Sequence, residues 1–409
     1  MVSVLLDAHG LLRTFWFVPP LSEPREKNRS PVDWAPLFKA AGFDPKQFAE
    51  AEPQWIPTHA FDYRVSWDGK PNGVPVHIDA AAFHGVPIDF DVSGPWASPS
   101  VVEAEQRKQW VSNLSAAAQT IIIILMLGAG LVLTRMNLRA GRADRRGAAR
   151  VALYFLFASA ISGILAAHWP HQVSRIWPVF SKVAGDVTFG AAFVWLSYLA
   201  LDPFARRYWP DLLISWNRVL AGRVRDPLVG RDILIGVVVA CVQALLWYGL
   251  VTLTLWIRMP EVTPSSGFDP GFLGSSAQAV SAIIYQQFMA IIIALASTLI
   301  LVLARLLLRN KLPALLAAGI GMMFILNFRI ESVYVISFAL VSTMLSLLLL
   351  VRFGILAFGT SIFVVGLLYW TALTLDMSRW YAGRSTTVML LVLGIAVYGF
   401  RCAVGKNRY

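Results

Sequence analysis

Residues 115–134, SAAAQTIIIILMLGAGLVLT, form an apolar stretch without a single charge. A helix of about 20 residues crosses the ~30 Å hydrocarbon core of a bilayer. This stretch therefore predicts a membrane-spanning helix, and it divides the chain in two. Residues 1–112 before it are mostly polar, whereas apolar runs recur from it to the C-terminus.

The composition of the whole chain agrees with that division. Of its 409 residues, 57% are hydrophobic and only 14% are charged, and the mean hydropathy is +0.61. Soluble domains have about 25% charged and 45–50% apolar residues. The excess apolar surface has to face lipid, so a bilayer is the first predicted partner of this protein.

The fold class predicted is a polytopic α-helical membrane protein with about nine spans and a small N-terminal α+β soluble domain. The domains are residues 1–112 and 113–409. The spans lie at approximately 115–134, 150–168, 184–201, 233–257, 277–304, 313–328, 333–351, 353–375 and 386–404. The sixth and seventh runs are either two spans or one re-entrant hairpin, and only Arg352 separates the seventh from the eighth. Eight or nine spans are therefore compatible with the sequence.

Positive charge accompanies the apolar spans. Residues 1–112 hold 10 basic and 14 acidic residues, and the remainder holds 25 basic and 10 acidic ones. The loops after the first, third, fifth and seventh spans, with the C-terminal tail, hold 19 Lys and Arg, whereas the alternate loops hold six. Because cytoplasmic loops are enriched in Lys and Arg, we expect the C-terminus to be cytoplasmic and residues 1–112 to be extracytoplasmic. The distribution does not suit a nucleic-acid-binding face.

This topology requires residues 1–112 to cross the membrane, yet the chain begins MVSVLLDAHG without the pattern of a signal peptide. Residues 11–18, LLRTFWFV, are apolar but short, and Arg13 interrupts them. Either the first span carries a long tail across unaided, or a further membrane segment precedes this sequence. The second alternative is favoured.

Alternating apolar and polar residues, together with turn-forming residues, predict the strands and the helix of the soluble domain. Apolar residues 2–6 and 11–18 predict a β-hairpin. Asp33 predicts the start of a short helix that ends before Gly42, and a further helical turn is expected at 45–50. The remaining predicted strands are 61–67, 74–80 and 86–92. Four tryptophans either fill the core of this domain or form a ligand-sensing aromatic pocket, and the core is favoured: Trp34, Trp55, Trp67 and Trp96.

Catalytic and cofactor motifs are missing from the sequence. It holds no GxxxxGK[ST], HExxH or GxSxG pattern and no set of kinase motifs. His168 and His171 are spaced for a shared metal, but Pro170 interrupts the helix that this geometry needs, which favours interfacial packing. We therefore predict no cofactor, no metal site and no catalytic residue, and the sequence leaves open whether the protein is an enzyme.

Charged residues near the spans are the intramembrane candidates for function, because burying them in lipid is costly. They are Asp186, Asp232, Arg329 and Glu331. If they surround one cavity, a transporter or an intramembrane enzyme is indicated. The alternative is that they snorkel to the interface or form local ion pairs there.

The predicted cytoplasmic loop 202–232 has apolar residues at helical spacing and many arginines. This pattern predicts an amphipathic helix, which either lies in the inner leaflet or packs against the bundle. Residues 221–232, AGRVRDPLVGRD, predict a basic turn suited to lipid phosphates or to a cytoplasmic module. The candidates for contacts with the interface or a partner are Arg206, Arg207, Trp209, Trp216, Arg218, Arg223, Arg225, Asp226 and Arg231.

Long stretches resemble a known family. Residues 198–236, from YLALDPFARRYW to GRDILIG, and residues 374–405, from TLDMSRWYAGR to CAVG, are similar to the membrane region of certain bacterial serine/threonine protein kinases, of the kind seen in acidobacteria. LLDAHGLLRTFWFVPP, from residue 5, and DWAPLFKAAGFDPKQF, at 33–48, resemble the extracytoplasmic part of the same proteins. The likeness covers most of the chain, but its motifs carry no known chemistry.

The resemblance implies a function without catalysis in this chain. In such kinases a cytoplasmic kinase domain and one membrane helix precede the soluble segment and the bundle. This sequence holds neither, so no kinase residue is carried over. We expect a membrane sensor or anchor module of a bacterial inner membrane that acts on a cytoplasmic kinase domain. The alternatives are a transporter or intramembrane enzyme, and a structural scaffold.

Overall fold

The computed structural model of the chain describes residues 2–7, 10–18, 32–57, 59–94, 109–167, 169, 173–256, 270–326 and 333–405. The chain forms two compact units. The first comprises Met1–Trp110 with Asp376–Trp380, and the second comprises Val111–Leu375 with Tyr381–Tyr409. The first unit holds a small β-sheet, and the second is helical.

Six antiparallel strands form one sheet in the first unit, in the order β1-β2-β6-β5-β4-β3. Its elements are β1 (Val2–Leu6), β2 (Leu12–Phe17), the helix α1 (Ala35–Ala40), β3 (Phe48–Ala51), β4 (Tyr63–Gly69), β5 (Val76–Phe83) and β6 (Val86–Ser93). The predicted N-terminal hairpin, the short helix after Asp33 and the three later strands are confirmed, with ends shifted by a few residues.

Period-two alternation gives this sheet one apolar face. Phe15, Phe90, Ala80 and Val65 lie side by side across β2, β6, β5 and β4. Phe38 of α1 covers them; it is 2% exposed, and its ring centroid lies 5.5 Å from that of Phe90. The core of the unit therefore lies between α1 and one face, and the other face carries the polar residues of the same strands.

Two predictions about this unit are wrong in part. Residues 45–50 do not form a helical turn throughout, because a 3-10 turn at Pro45–Gln47 gives way to β3. β3 pairs with the end of β4, and those hydrogen bonds between strands prevail over the weak local preference for a helix.

The tryptophans fill less of the core than predicted. Trp34 and Trp67 pack against its edge, with ring centroids 5.9 Å apart. The fully buried residues are smaller ones and phenylalanines, and Trp55 is not part of this cluster. Trp96 lies outside the described residues.

The second unit consists of helices. They are α2 (Gln109–Arg139), α3 (Arg145–Ala166), α4 (Val173–Tyr208), α5 (Ile214–Leu220), α6 (Pro227–Trp256), α7 (Pro270–Leu273), α8 (Ser276–Leu308), α9 (Lys311–Leu326), α10 (Val333–Phe353), α11 (Ile355–Trp370) and α12 (Ala382–Val404). In the described part of the chain, seven of them are long and apolar enough to cross a membrane: α2, α3, α4, α6, α8, α10 and α12.

Two apolar helices are shorter. α9 and α11 have 16 residues each, which corresponds to about 24 Å of helix, less than the ~30 Å hydrocarbon core. Helix length therefore supports seven spans and does not confirm the predicted nine. The predicted break beside Arg352 is confirmed, and its cause is Gly354, whose φ of +90° ends α10.

Polar side chains join three of the helices inside the apolar bundle. Gln243 of α6 is 2% exposed, and its amide nitrogen donates to the hydroxyls of Ser342 and Ser346 of α10 at 3.0 Å each. Ser361 of α11 donates to its amide oxygen at 3.3 Å. Gln243 therefore hydrogen-bonds across helices, and such bonds fix the helix register in a largely apolar core.

Candidate functional site

The polar face of the sheet is the first candidate site, and strand register builds it. Ser66, Asp79, Asp91 and Thr14 form one row across β4, β5, β6 and β2. The Thr14 hydroxyl donates to Asp91 at 2.7 Å, and the Ser66 hydroxyl donates to Asp79. Each carboxylate is thus held by a hydroxyl from the neighbouring strand.

A histidine lies between two carboxylates in this face. The Nδ1 atom of His77 is 2.6 Å from an oxygen of Asp68, and its Nε2 atom is 3.0 Å from an oxygen of Asp79. The side chains of His77 and Asp79 are only 8% and 9% exposed, whereas that of Asp68 is 62% exposed. We call these three residues the histidine triad. One of its carboxylates is fixed in the interior, and the other is free to reorient in solvent.

Residues 52–57 and 59–62, which we call the strap, lie along this polar face. The Gln54 amide N–H donates to Asp79 at 3.3 Å, and the Gln54 side-chain nitrogen is 3.4 Å from Nδ1 of His77. The Arg64 guanidinium donates to the carbonyl of Trp55 at 3.2 Å. The strap is therefore attached to the sheet through charged and titratable side chains.

The rest of the strap is attached by two more histidines. The ring of His59 stacks on Trp16 with centroids 5.4 Å apart. At the end of the strap, the backbone N–H of His84 donates to Asp62 at 2.9 Å. Every histidine of this unit that the structure describes thus lies in the strap or at one of its contacts.

A shallow cleft of about 390 Å³ opens beside the histidine triad. Its wall includes Gln54, Asp68, Lys70, His77 and Ser93. The lining contains donors, acceptors and both signs of charge, so the cleft suits a small polar molecule or ion more than an apolar one. Among the described residues, no group of three or more His, Cys, Asp or Glu side chains is arranged to hold a metal ion.

Two further carboxylates on this face have perturbed proton affinity. Burial, with the nearby charge of Asp91, raises the pKa of Asp89 from 3.8 to about 6, against the opposing effect of His59. Burial also raises the pKa of Asp91, although the hydrogen bond from Thr14 acts in the opposite direction. This face therefore takes up protons at a milder pH than ordinary aspartates would.

Replacing Asp89 by Asn is expected to flatten the pH dependence of this unit's stability. The folded unit binds the Asp89 proton below about pH 6, whereas the unfolded chain binds it only near the ordinary value, so stability rises as the pH falls through about 6. The variant should be more stable than the wild type at pH 8, by about 1 kcal/mol once solvent screening of this half-exposed group is allowed for.

Hydrogen exchange of β5 and β6 at pH 5 and pH 8, in the full chain, measures that difference, after correction for intrinsic exchange rates. Asp44→Asn is the matched control, because Asp44 is exposed and only caps the turn at Pro45–Gln47. An Asp89→Asn protein whose stability at pH 8 equals that of the wild type contradicts the prediction.

The second candidate site is one end of the bundle, where arginines from several helices gather. Three contacts between helices define this end, which we call the basic end. Arg150 of α3 donates to the carbonyl of Leu220 at 3.0 Å. The Arg305 guanidinium of α8 lies 5.6 Å from the centroid of the Tyr208 ring of α4. The Tyr398 hydroxyl of α12 donates to the carbonyl of Val224 at 2.7 Å. The C-terminal ends of α4, α8 and α12 thus meet the N-terminal end of α3 and the predicted basic turn.

The segment predicted to be amphipathic packs against the bundle. It forms a 3-10 turn at Pro210–Leu213 followed by α5. Leu212 and Leu213 are each 2% exposed within the main core, and Trp209 and Trp216 pack against that core. Of the two alternatives for this segment, the structure therefore favours packing against the bundle over lying in a leaflet.

The predicted interface arginines have different surroundings. Arg218 pairs with Asp226, whose side chain also accepts from the N–H of Leu228 at 2.9 Å and so caps the start of α6. Although burial opposes it, the hydrogen bond from Arg218 lowers the pKa of Asp226. Arg223 and Arg225 are exposed in the turn, which leaves them available to a partner.

The remaining arginines of this set lie on exposed helix ends. Arg206 pairs with Asp202 at 2.9 Å, and the Arg207 guanidinium lies 5.6 Å from the Tyr208 ring. Arg231 pairs with Asp232 at 2.8 Å. These contacts leave each arginine half-exposed or more, whereas the carboxylates of Asp202 and Asp232 are buried.

The two intramembrane candidates that the structure describes, Asp186 and Asp232, are not brought into one site. Asp232 is 1% exposed at the start of α6, where it accepts from Ser215 and pairs with Arg231. Asp186 is exposed on α4 and pairs with Lys182 at 3.0 Å. Both form local ion pairs, as the alternative interpretation expected. Arg329 and Glu331, like His168 and His171, lie outside the described residues.

Asp202 and its neighbours were missed from the sequence. Asp202 is 2% exposed, because α4 continues to Tyr208 where a loop was predicted to begin. The hydroxyl of Tyr198, one turn earlier, is buried without a hydrogen-bond partner in the described part of the chain. The spacing of Asp202 and Arg206 by four residues was the signal for a continuing helix.

Comparisons with protein-family models, with curated proteins and with solved structures found no match.

Proposed function

We propose that this chain is a membrane sensor and anchor module without catalysis of its own, which passes a signal from an extracytoplasmic domain through the helix bundle to a cytoplasmic partner. The observation that carries this proposal is the pairing of a folded domain, whose polar face holds a strap and a cleft, with a bundle that gathers its arginines at one end. A domain that served only as an anchor would not need a buried titratable network.

The orientation follows from the arginines. Cytoplasmic ends of membrane helices are enriched in Lys and Arg, so we place the basic end, with Arg223 and Arg225, in the cytoplasm. The first unit then lies outside the inner membrane of a bacterium.

We further propose nine crossings, including the short helices α9 and α11. Contacts at the end of the bundle opposite the basic end support this count. Gln119 of α2 donates to the carbonyl of Phe324 near the end of α9 at 3.2 Å, and Tyr248 of α6 donates to that of Leu368 near the end of α11 at 2.7 Å. α9 begins just after the C-terminal end of α8, and Gly354, before α11, lies against Leu212. Each short helix therefore connects the two ends.

The resemblance to bacterial serine/threonine protein kinases supports the choice of partner, a cytoplasmic kinase domain. Such a domain would meet the exposed arginines of the turn between α5 and α6. The same resemblance supports a membrane helix upstream of this sequence, which would bring the first unit across the bilayer.

Labelling of single cysteines tests the proposed orientation. In a background with Cys241 and Cys402 replaced by Ser, Lys70→Cys lies at the cleft and Arg223→Cys in the basic turn, both at exposed positions. A membrane-impermeant maleimide is expected to label Lys70→Cys in intact spheroplasts, and Arg223→Cys only after the membrane is opened. If both cysteines are shielded until then, the receptor proposal is wrong.

A further inference from the structure

We propose that His77 is a proton-operated switch, whose Nδ1 atom binds the strap when the ring is neutral and binds Asp68 when the ring is charged, so that the first unit responds to pH. This inference deepens the proposed function, since it names the proton as a signal for the same site. The switch itself is a property of the folded unit and does not depend on which side of the membrane that unit faces.

The Nε2 side of the ring is fixed. It faces Asp79, which is buried and held in place by the hydroxyl of Ser66 and the N–H of Gln54. A bare Nε2 would place its lone pair against a buried carboxylate that cannot turn away. Nε2 therefore keeps its proton in both states, and the neutral ring is bare at Nδ1.

The Nδ1 side has two neighbours with opposite requirements. Asp68, at 2.6 Å, only accepts hydrogen bonds and so needs a proton on Nδ1. The side-chain nitrogen of Gln54, at 3.4 Å, only donates and so needs a bare Nδ1. One protonation state cannot satisfy both. Because Asp68 is mostly exposed, it can turn into solvent when the ring is neutral.

Imidazole changes its charge between about pH 5 and pH 8. On acidification, Nδ1 gains a proton, binds Asp68 and loses the bond to Gln54, which removes one of the attachments of the strap. The backbone bond from Gln54 to Asp79 remains, so the strap loosens at this point without detaching.

The other charges on this face set the balance of the switch. Carboxylates favour the charged ring. Those of the triad lie on β4 and β5, and those of Asp89 and Asp91 lie on β6. Cations oppose it. They are Lys70 at the cleft, Arg64 where it binds the strap at Trp55, His59 in the strap, and His84 at its far end. Because burial raises the pKa of Asp89 to about 6, its negative charge, which favours the charged ring, is lost in acid.

Hydrogen exchange of the strap tests the proposal in the full chain in detergent or nanodiscs, at pH 5.5 and pH 8, with rates divided by the intrinsic rate at each pH. We expect peptides covering residues 52–62 to exchange roughly 3- to 10-fold faster at pH 5.5, the effect of one hydrogen bond. Peptides of α8 in the bundle provide the reference, because the protection of β5 is itself expected to change with pH through Asp89.

Two variants and a control decide the outcome. His77→Gln cannot take up a proton in this range, so its strap should no longer exchange faster at pH 5.5 than at pH 8. Asp68→Asn, at an exposed position that folding tolerates, removes the partner of the charged ring and should shift the transition to lower pH. Asp44→Asn, at another exposed position of this unit, should behave as the wild type does.

The proposal is overturned if the strap is better protected at pH 5.5 than at pH 8, if His77→Gln retains the wild-type ratio, or if Asp68→Asn leaves the transition where it was. None of these outcomes bears on orientation, which the cysteine labelling tests separately. If the switch operates but labelling shows that the first unit is cytoplasmic, only the receptor proposal is refuted.

Discussion

Gly230→Val is expected to prevent the bundle from folding. Gly230 lies in the first turn of α6, where α12 crosses it. A Cβ atom there would lie 2.5 Å from the backbone nitrogen of Ala403, 2.5 Å from the Cβ of Cys402 and 2.6 Å from the carbonyl oxygen of Gly399. Backbone atoms cannot rotate away as a side chain can, so the two helices would have to separate.

The loss of folding free energy should exceed the ~1–3 kcal/mol that overpacking a core usually costs. Lipid provides no hydrophobic driving force between helices, so their association depends on the close approach of small residues. Gly230→Ala should already be harmful, since its Cβ alone meets those atoms. The measurement is the yield of monodisperse protein in mild detergent and the temperature at which it aggregates.

Gly249→Val is the matched control for that experiment. Gly249 lies in the same helix, and a Cβ atom there would meet nothing within 4 Å. Its yield and aggregation temperature should equal those of the wild type. If the two valine variants behave alike, α6 and α12 do not cross at Gly230 as the structure has them.

Apolar runs located the bundle helices well, because a stretch of residues that all avoid water can be recognised without knowing its neighbours. The helix ends were predicted less well. α4 runs through Asp202 and Arg206 to Tyr208, where the first charges suggested a loop. The burial of Asp202 depends on packing against other helices, which spacing along one helix does not reveal.

The histidine triad could not be predicted for a related reason. Alternation along β4 and β5 places Asp68, His77 and Asp79 on one face of the sheet, but residues that share a face do not necessarily touch. The contacts depend on the register that pairs Asp68 with His77, and on a strap whose position is set by Gln54. Register and loop position arise from tertiary hydrogen bonds that leave little trace in the local sequence.

Phe38→Ala is expected to unfold the first unit while the bundle keeps its structure. Phe38 is 2% exposed, and its ring meets those of Phe48, Trp67 and Phe90 with centroids 5.1–5.5 Å apart. Truncating a buried phenylalanine costs about 3–5 kcal/mol. Whole domains are stable by only about 5–15 kcal/mol, and small ones lie at the low end of that range.

Limited proteolysis of the full chain in detergent, followed by mass spectrometry, reports the unfolding of each unit separately. Cleavage of Phe38→Ala should spread through β4, β5 and β6, whose apolar face loses its cover, while the helices of the second unit stay resistant. Tyr63→Ala is the control, an aromatic residue of the same sheet that is 50% exposed and should leave the pattern unchanged. If β5 and β6 stay protected in Phe38→Ala, the packing of α1 contributes less to this unit than its buried ring contacts indicate, and the strands hold the sheet without it.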